Sequence, residues 1–264
     1  MRIARVFPTK TSLTPRDADC FVGPPQGNVP LYDAVHISVT FTWDLPKINR
    51  LRREWIKYGP VKVGGPALGD PGGVFIGGKY LRDGVTITSR GCPGNCSFCF
   101  VPKREGHIRE LPIVPGHIVQ DNNLLACSDS HLRKVFDMLR GQKRIDLSGG
   151  LEAARINEGV VNELAELEIY QVWTAYDLPQ KKKVAERAIN LLRGRFNRNK
   201  VRCYVLIGYD GDTIAEAEAR LKWVWDAGAL PFAMLYHPHT EWKLLQRTWT
   251  RPAAMASVMK VAKV

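Results

Sequence analysis

The chain has 264 residues, 45% of them hydrophobic and 24% charged, a balance that supports a sizeable buried core and excludes a disordered or fibrous polymer. Its formal net charge of +12 favours polyanionic partners, nucleic acid or a phosphorylated substrate, and a plainly basic surface fits the same number. No apolar run nears the roughly 18 residues of a membrane span, and the opening Met1-Arg-Ile-Ala-Arg has no apolar leader, so a cytoplasmic protein with no membrane partner is expected.

In chain order, Arg2 to Phe7 reads as a short strand, and Ala34 to Phe41 alternates as Val35, Ile37, Val39, Phe41, a second strand. Asp44 and Pro46 open a helix with Ile48, Leu51 and Trp55 on one face, and Val61 and Val63 mark another strand. The glycine-rich stretch 69–78 is a loop and the best boundary. Strand signals then recur at 85–89, 116–120, 144–148, 169–174, 201–207 and 231–236. Helical patterns lie between most of them: one capped by Ser130, one through Val160 to Leu167, one opened by Pro179, and one starting at Asp212 or Thr213 and ending at Gly228.

Strands alternating with helices predict βα units on a parallel sheet. Six such strands in about 150 residues fall short of the ~250 that a closed eight-strand barrel takes, so the expected fold is α/β, a partial (β/α)6 barrel. The predicted organisation is a small α/β region at 1–80, the barrel at 81–240 and a C-terminal helical extension of one or two helices at 241–264.

Three of the six cysteines, Cys92, Cys96 and Cys99, sit within eight residues, in Ser89-Arg-Gly-Cys-Pro-Gly-Asn-Cys-Ser-Phe-Cys-Phe-Val-Pro102. That loop follows the first predicted barrel strand, at the end where barrel active sites form. Three thiolates at x3 and x2 spacing can wrap one face of a four-iron cluster, leaving one iron open for chemistry. The competing reading is zinc, which wants four ligands and would need His107 or a distant residue as the fourth.

The motif Cys-x3-Cys-x2-Cys resembles the signature of the radical S-adenosylmethionine (radical SAM) superfamily. The wording Arg90-Gly-Cys-Pro and Val101-Pro102 is similar to the branch holding methylthiotransferases and cobalamin-linked enzymes. The resemblance spans about residues 61 to 238. It implies a [4Fe-4S] cluster on Cys92, Cys96 and Cys99, with S-adenosylmethionine chelated at the open iron. Reductive cleavage then yields a 5′-deoxyadenosyl radical, and Phe98 packs against the adenine. A flavodoxin- or ferredoxin-like protein would donate the electron.

Further cofactor contacts are expected at the strand ends. After the second strand, Asp121, Asn122 and Asn123 resemble the family's acceptors for the methionyl ammonium, and an Asx turn explains them equally. After the third, Gly149 and Gly150 permit close backbone approach and Glu152 can accept ribose hydroxyls; a simple strand-to-helix turn is the alternative. Thr174 and Tyr176 end the fourth strand with polar groups, and Gly208 sits in a segment resembling the superfamily's fifth-strand motif. No catalytic side chain stands out.

The first 80 residues resemble a reduced remnant of the Rossmann-like domain of cobalamin-linked relatives. Asp33-Ala-Val-His36 does not match their cobalt-binding loop, so no cobalamin is expected. Only Cys20 precedes the motif, so the second cluster and the appended RNA-binding domain of methylthiotransferases are not expected. The expected function is a radical SAM enzyme modifying a nucleic acid, RNA or DNA, with Lys103-Arg104 and Arg50 to Arg53 as candidate phosphate contacts. A small metabolite or peptide substrate, and a non-enzymatic, metal-stabilised nucleic-acid-binding protein, are the alternatives.

Overall fold

The computed structural model describes residues 1–261, in two compact units: residues 1–95 with 99–116, and residues 96–98 with 117 onward. The first unit is built on β1 (Ile3–Phe7), β2 (Cys20–Val22), β3 (Ala34–Ser38) and β4 (Val61–Gly64). They form one parallel sheet in the order β2-β1-β3-β4. Parallel neighbours need a crossover, and between β3 and β4 it is α1 (Ile48–Trp55), entered through a 3-10 turn at Thr42–Lys47. The buried Asp44 of that turn binds Lys47 at 2.7 Å and the Thr9 hydroxyl at 2.8 Å.

Ala4, Val6, Val35, Ile37, Leu51 and Trp55 make the core of this unit, so the alternating and helical faces read from the sequence do turn inward. The strand β2 went unpredicted, since three residues carry no periodic signal. It is held by Phe21, whose ring lies 4.8 Å from that of Trp55, while the Trp55 indole N–H donates to the Gly23 carbonyl at 3.0 Å. The remainder of the unit holds β5 (Val85–Thr86), β6 (Ser89–Arg90), α2 (Val101–Glu105) and β7 (Arg109–Glu110), with β6 and β7 antiparallel.

The second unit alternates strand and helix: β8 (Ile118–Val119), α3 (Asp129–Arg140), β9 (Ile145–Leu147), α4 (Glu158–Ala165), β10 (Ile169–Ala175), α5 (Lys182–Arg193), β11 (Val201–Ile207), α6 (Ile214–Asp226) and β12 (Leu230–Leu235). The strands lie in sequence order, each parallel to the next. Two helices follow, α7 (Thr240–Thr248) and α8 (Pro252–Val261). The molecule is therefore mixed α/β with parallel sheets, the class expected from the alternation of strand and helix signals.

Helix α3 is capped by Ser128, which accepts from the His131 amide at 3.2 Å, two residues earlier than the expected Ser130. Both serines precede the same apolar face, and periodicity alone does not choose between them. Thr213 does cap α6, through a reciprocal box with Glu216. No helix among the described residues is long and apolar enough to cross a membrane.

Candidate active site

Backbone pairing fixes the cysteine loop at its entry. Ser89 and Arg90 pair with Glu110 and Arg109, the Leu111 amide donates to the Thr88 carbonyl at 2.8 Å, and the Cys92 amide to the Gly106 carbonyl at 3.2 Å. Gly91 makes this possible. Its φ is +87°, and a Cβ there would sit 2.1 Å from the His107 carbonyl oxygen. Glycine is the only residue that satisfies both conditions.

Beyond Cys92 the chain turns so that the Gly94 amide points at the Cys92 sulfur, 3.3 Å away. An amide aimed at sulfur stabilises a thiolate, and hydrogen bonds of this kind tune thiolate-held clusters. Cys92 and Cys99 are half-buried and Cys96 is exposed. Among the described residues, no three His, Cys, Asp or Glu side chains are gathered closely enough to hold a metal ion. The fit of Cys92, Cys96 and Cys99 to an iron–sulfur cluster therefore rests on donor chemistry, spacing and the amide-to-sulfur contact.

Helix α2, just after Cys99, buries Glu105 with its side chain 1% exposed. Arg104 and Arg109 bind it at 3.1 Å each, Arg90 lies at 3.6 Å, and the Gly72 amide donates to it at 3.0 Å. A buried carboxylate needs such partners. Arg104 binds Glu105 through Nε and is half-buried, whereas Lys103 is exposed.

Phe98 belongs to the second unit. Its ring meets that of Tyr209 edge-on at 5.8 Å, and Tyr209 meets Tyr236 at 5.0 Å. Tyr209 and Tyr236 follow β11 and β12 directly, so this stretch of the cysteine loop is anchored at the carboxyl ends of the parallel strands. Ligands of parallel α/β proteins gather at that edge. Gly208, between β11 and Tyr209, has φ +74° and would clash with the Trp242 ring at 3.0 Å if it carried a Cβ.

At the same edge, the expected strand-end residues after β8 and β9 come together. A Cβ on Gly149 would lie 2.5 Å from the Asp121 carbonyl oxygen, so glycine lets the two connections touch. The Asn123 amide donates to Glu152 at 2.8 Å, and Arg155 steadies the same oxygen at 2.7 Å. Asp121 is 2% exposed, Asn122 is half-buried, and Gly150 takes φ +86° in the turn after β9. Asp121, Asn123, Gly149 and Glu152 thus form one polar group. Thr174 and Tyr176 stand apart from it: both are buried, Thr174 donating to the Leu151 carbonyl at 3.1 Å and Tyr176 packing on Trp223 of α6.

The opposite face of the sheet carries a cluster that sequence reading missed. The Trp173 indole donates to Asp146 at 3.0 Å and stacks on Tyr204 with centroids 4.5 Å apart, and Phe232 meets both rings edge-on. Arg202 lies over Trp173 at 5.6 Å, and the Tyr204 hydroxyl donates to the Ser148 carbonyl at 2.8 Å. Burial raises the Asp146 carboxyl above its usual range, against the opposing pull of the Trp173 N–H, and burial likewise pushes the Tyr204 phenol up. The available signal was a polar phase shared by three strands: Asp146 in β9, Gln171 and Trp173 in β10, Arg202 and Tyr204 in β11.

No protein-family model matches the chain, and no curated protein matches it. The reading of the site stands on its residues.

Proposed function

We propose that the chain is a radical SAM enzyme and that the strands of its second unit are the larger part of a partial (β/α)6 barrel. The observation that carries the reading is Phe98: a residue flanked by Cys96 and Cys99 of a Cys-x3-Cys-x2-Cys loop, lodged against Tyr209 at the carboxyl edge of a parallel sheet. In this reading Cys92, Cys96 and Cys99 hold a [4Fe-4S] cluster that leaves one iron open. When bound, the cluster and S-adenosylmethionine supply a hydrogen-abstracting 5′-deoxyadenosyl radical, with the electron delivered by a flavodoxin- or ferredoxin-like donor.

The protein's own part is to bind, orient and exclude water. Phe98 offers a face to adenine. Asp121, Asn122 and Asn123 supply acceptors for an ammonium, Glu152 accepts ribose hydroxyls, and Gly149 and Gly150 keep the backbone close. Thr174 and Tyr176 support that edge from the helix-covered face. The stacked Trp173 and Tyr204, with Asp146 and Arg202, form an aromatic and ionic cluster whose rings are already packed on one another, so it stiffens the strands rather than receiving a ligand. The +12 charge supports RNA or DNA as substrate over a peptide.

The test is anaerobic reconstitution followed by dithionite. The expected results are about four irons per chain and release of 5′-deoxyadenosine. Loss of both in the Cys92→Ala, Cys96→Ala, Cys99→Ala triple variant supports the reading. A zinc-loaded protein, or one yielding no 5′-deoxyadenosine, overturns it.

A further inference from the structure

Beyond the carboxyl ends of β3 and β4, and wholly within the first unit, lies a cavity of about 510 Å³. Its volume falls in the range of roughly 300–1,000 Å³ that small-molecule sites occupy. Ile37, Val63, Phe75 and Ile87 give it apolar walls. The loop beside it leaves Val74 and Ile76 exposed at 66% and 55%, an apolar rim that no other part of the unit covers among the described residues.

The polar lining is unevenly charged. Glu105 is spent on Arg90, Arg104 and Arg109, and Asp70 accepts from the Gly65 amide at 3.3 Å. Lys62 and Lys79 also line the cavity, and neither forms an ion pair among the described residues. Lys79 rests over the Tyr80 ring at 5.3 Å, an arrangement that leaves its charge unneutralised. Between the lysines, His36 shares a 2.6 Å hydrogen bond through Nδ1 with the Tyr80 hydroxyl, and its Nε2 is buried with no partner among the described residues. Burial first, then the charges of Lys79 and Lys62, lower the His36 pKa, so both ammonium groups act on this part of the wall.

Asp70 is likewise left without an ion pair among the described residues, but the charges that act on the His36 wall are the two ammonium groups, and two cations beside apolar walls there select the ligand's chemistry. A phosphate monoester carries about −1.5 to −2 charges near neutral pH, enough to neutralise both ammonium groups, whereas a monocarboxylate leaves one unmet. We propose that this cavity binds a small phosphate monoester with a flat or apolar body, its phosphate held between Lys62 and Lys79 and its body against Ile37, Val63 and Phe75. The inference is independent of the cluster chemistry proposed above.

The test uses the full chain without reconstitution and two probes, phenyl phosphate and AMP, titrated calorimetrically, with benzoate as the monocarboxylate control. At least one phosphate is expected to bind at one site per chain, at least about tenfold more tightly than benzoate. The Lys62→Glu, Lys79→Glu double variant is expected to lose at least about tenfold in that affinity. Lys57→Glu, an exposed reversal away from the cavity, should bind like the parent. An unchanged thermal melt for the double variant separates lost binding from lost folding; if it melts early, Lys62→Ala alone must show weakened binding. The proposal is overturned if neither phosphate binds at ~5 mM, if benzoate binds equally well, or if the folded lysine variants bind like the parent.

Discussion

Replacing Gly91 with alanine tests whether backbone geometry, rather than sulfur alone, sets the cysteine loop. Two costs add. An L-residue held at φ +87° loses about 1–2 kcal/mol. The new Cβ would also lie 2.1 Å from the His107 oxygen and 2.6 Å from its carbonyl carbon, backbone atoms that cannot rotate away. Relief requires the two segments to part by about 1 Å, which breaks the bond from the Cys92 amide to Gly106, worth about 1 kcal/mol, and strains the β6–β7 pair. The expected loss is about 3 kcal/mol or more. Gly106→Ala is the internal control: its φ is +73° and its ψ −149°, a conformation that favours glycine, but nothing lies within 4 Å of its added Cβ, so it should lose only the conformational cost of about 1–3 kcal/mol. Urea unfolding gives the stabilities, and iron content after reconstitution reports the loop. Gly91→Ala should take up clearly less iron than Gly106→Ala. Equal stability loss and equal iron uptake in the two variants would refute the reasoning.

Three further outcomes are expected. Burial raises the Asp177 carboxyl from 3.8 to about 6, with the Leu206 amide opposing the shift, so the folded protein binds more protons than the unfolded chain across that window. The contribution of Asp177 should therefore fall as pH rises from about 4 to about 6, and Asp177→Asn should gain on the parent over that window, by about 1–2 kcal/mol at pH 8, measured by urea midpoints; a difference between variant and parent that does not change over the window would contradict this. Arg220 binds Asp212 at 2.8 and 3.0 Å and the Leu206 carbonyl at 2.9 Å, all nearly buried, so Arg220→Met should cost about 3–5 kcal/mol by stranding Asp212, and a loss under ~1 would show the pair to be solvated. Lys103→Glu should lower the salt dependence of tRNA or DNA binding by about one phosphate contact while leaving uncoupled 5′-deoxyadenosine release intact; an unchanged salt slope would remove Lys103 from any nucleic-acid path.

The sequence disclosed some features and hid others for identifiable reasons. Strands such as β10 and β11 were legible because runs like Val201-Arg-Cys-Tyr-Val-Leu-Ile207 are long and rich in β-branched and aromatic residues. The cysteine loop was legible because its chemistry is written in consecutive residues. The Asp146–Trp173–Tyr204 cluster was not, since its partners lie 27 or more positions apart and meet only through strand pairing. The Glu105 ion network was hidden likewise: Gly72 and Glu105 are 33 residues apart, and nothing in the sequence around Glu105 marks its carboxylate as buried. The contact of Asn123 with Glu152 shows the middle case, where each residue was singled out separately and their meeting, 29 positions apart, was not.

Strand β1 has a consequence for synthesis on the ribosome. Its Arg5 guanidinium donates to the carbonyls of Gly78 and Lys79, at 3.0 and 2.8 Å, and its backbone pairs with both β2 and β3. Strand β1 is thus an inner strand of its sheet, made before both of its neighbours, and it cannot complete its contacts until about 70 more residues have emerged. At roughly 5–20 residues per second that wait lasts several seconds, during which an apolar strand has no finished neighbours. Charged residues break up aggregation-prone apolar runs, and Arg2 and Arg5 interrupt Ile3, Ala4 and Val6 in this way.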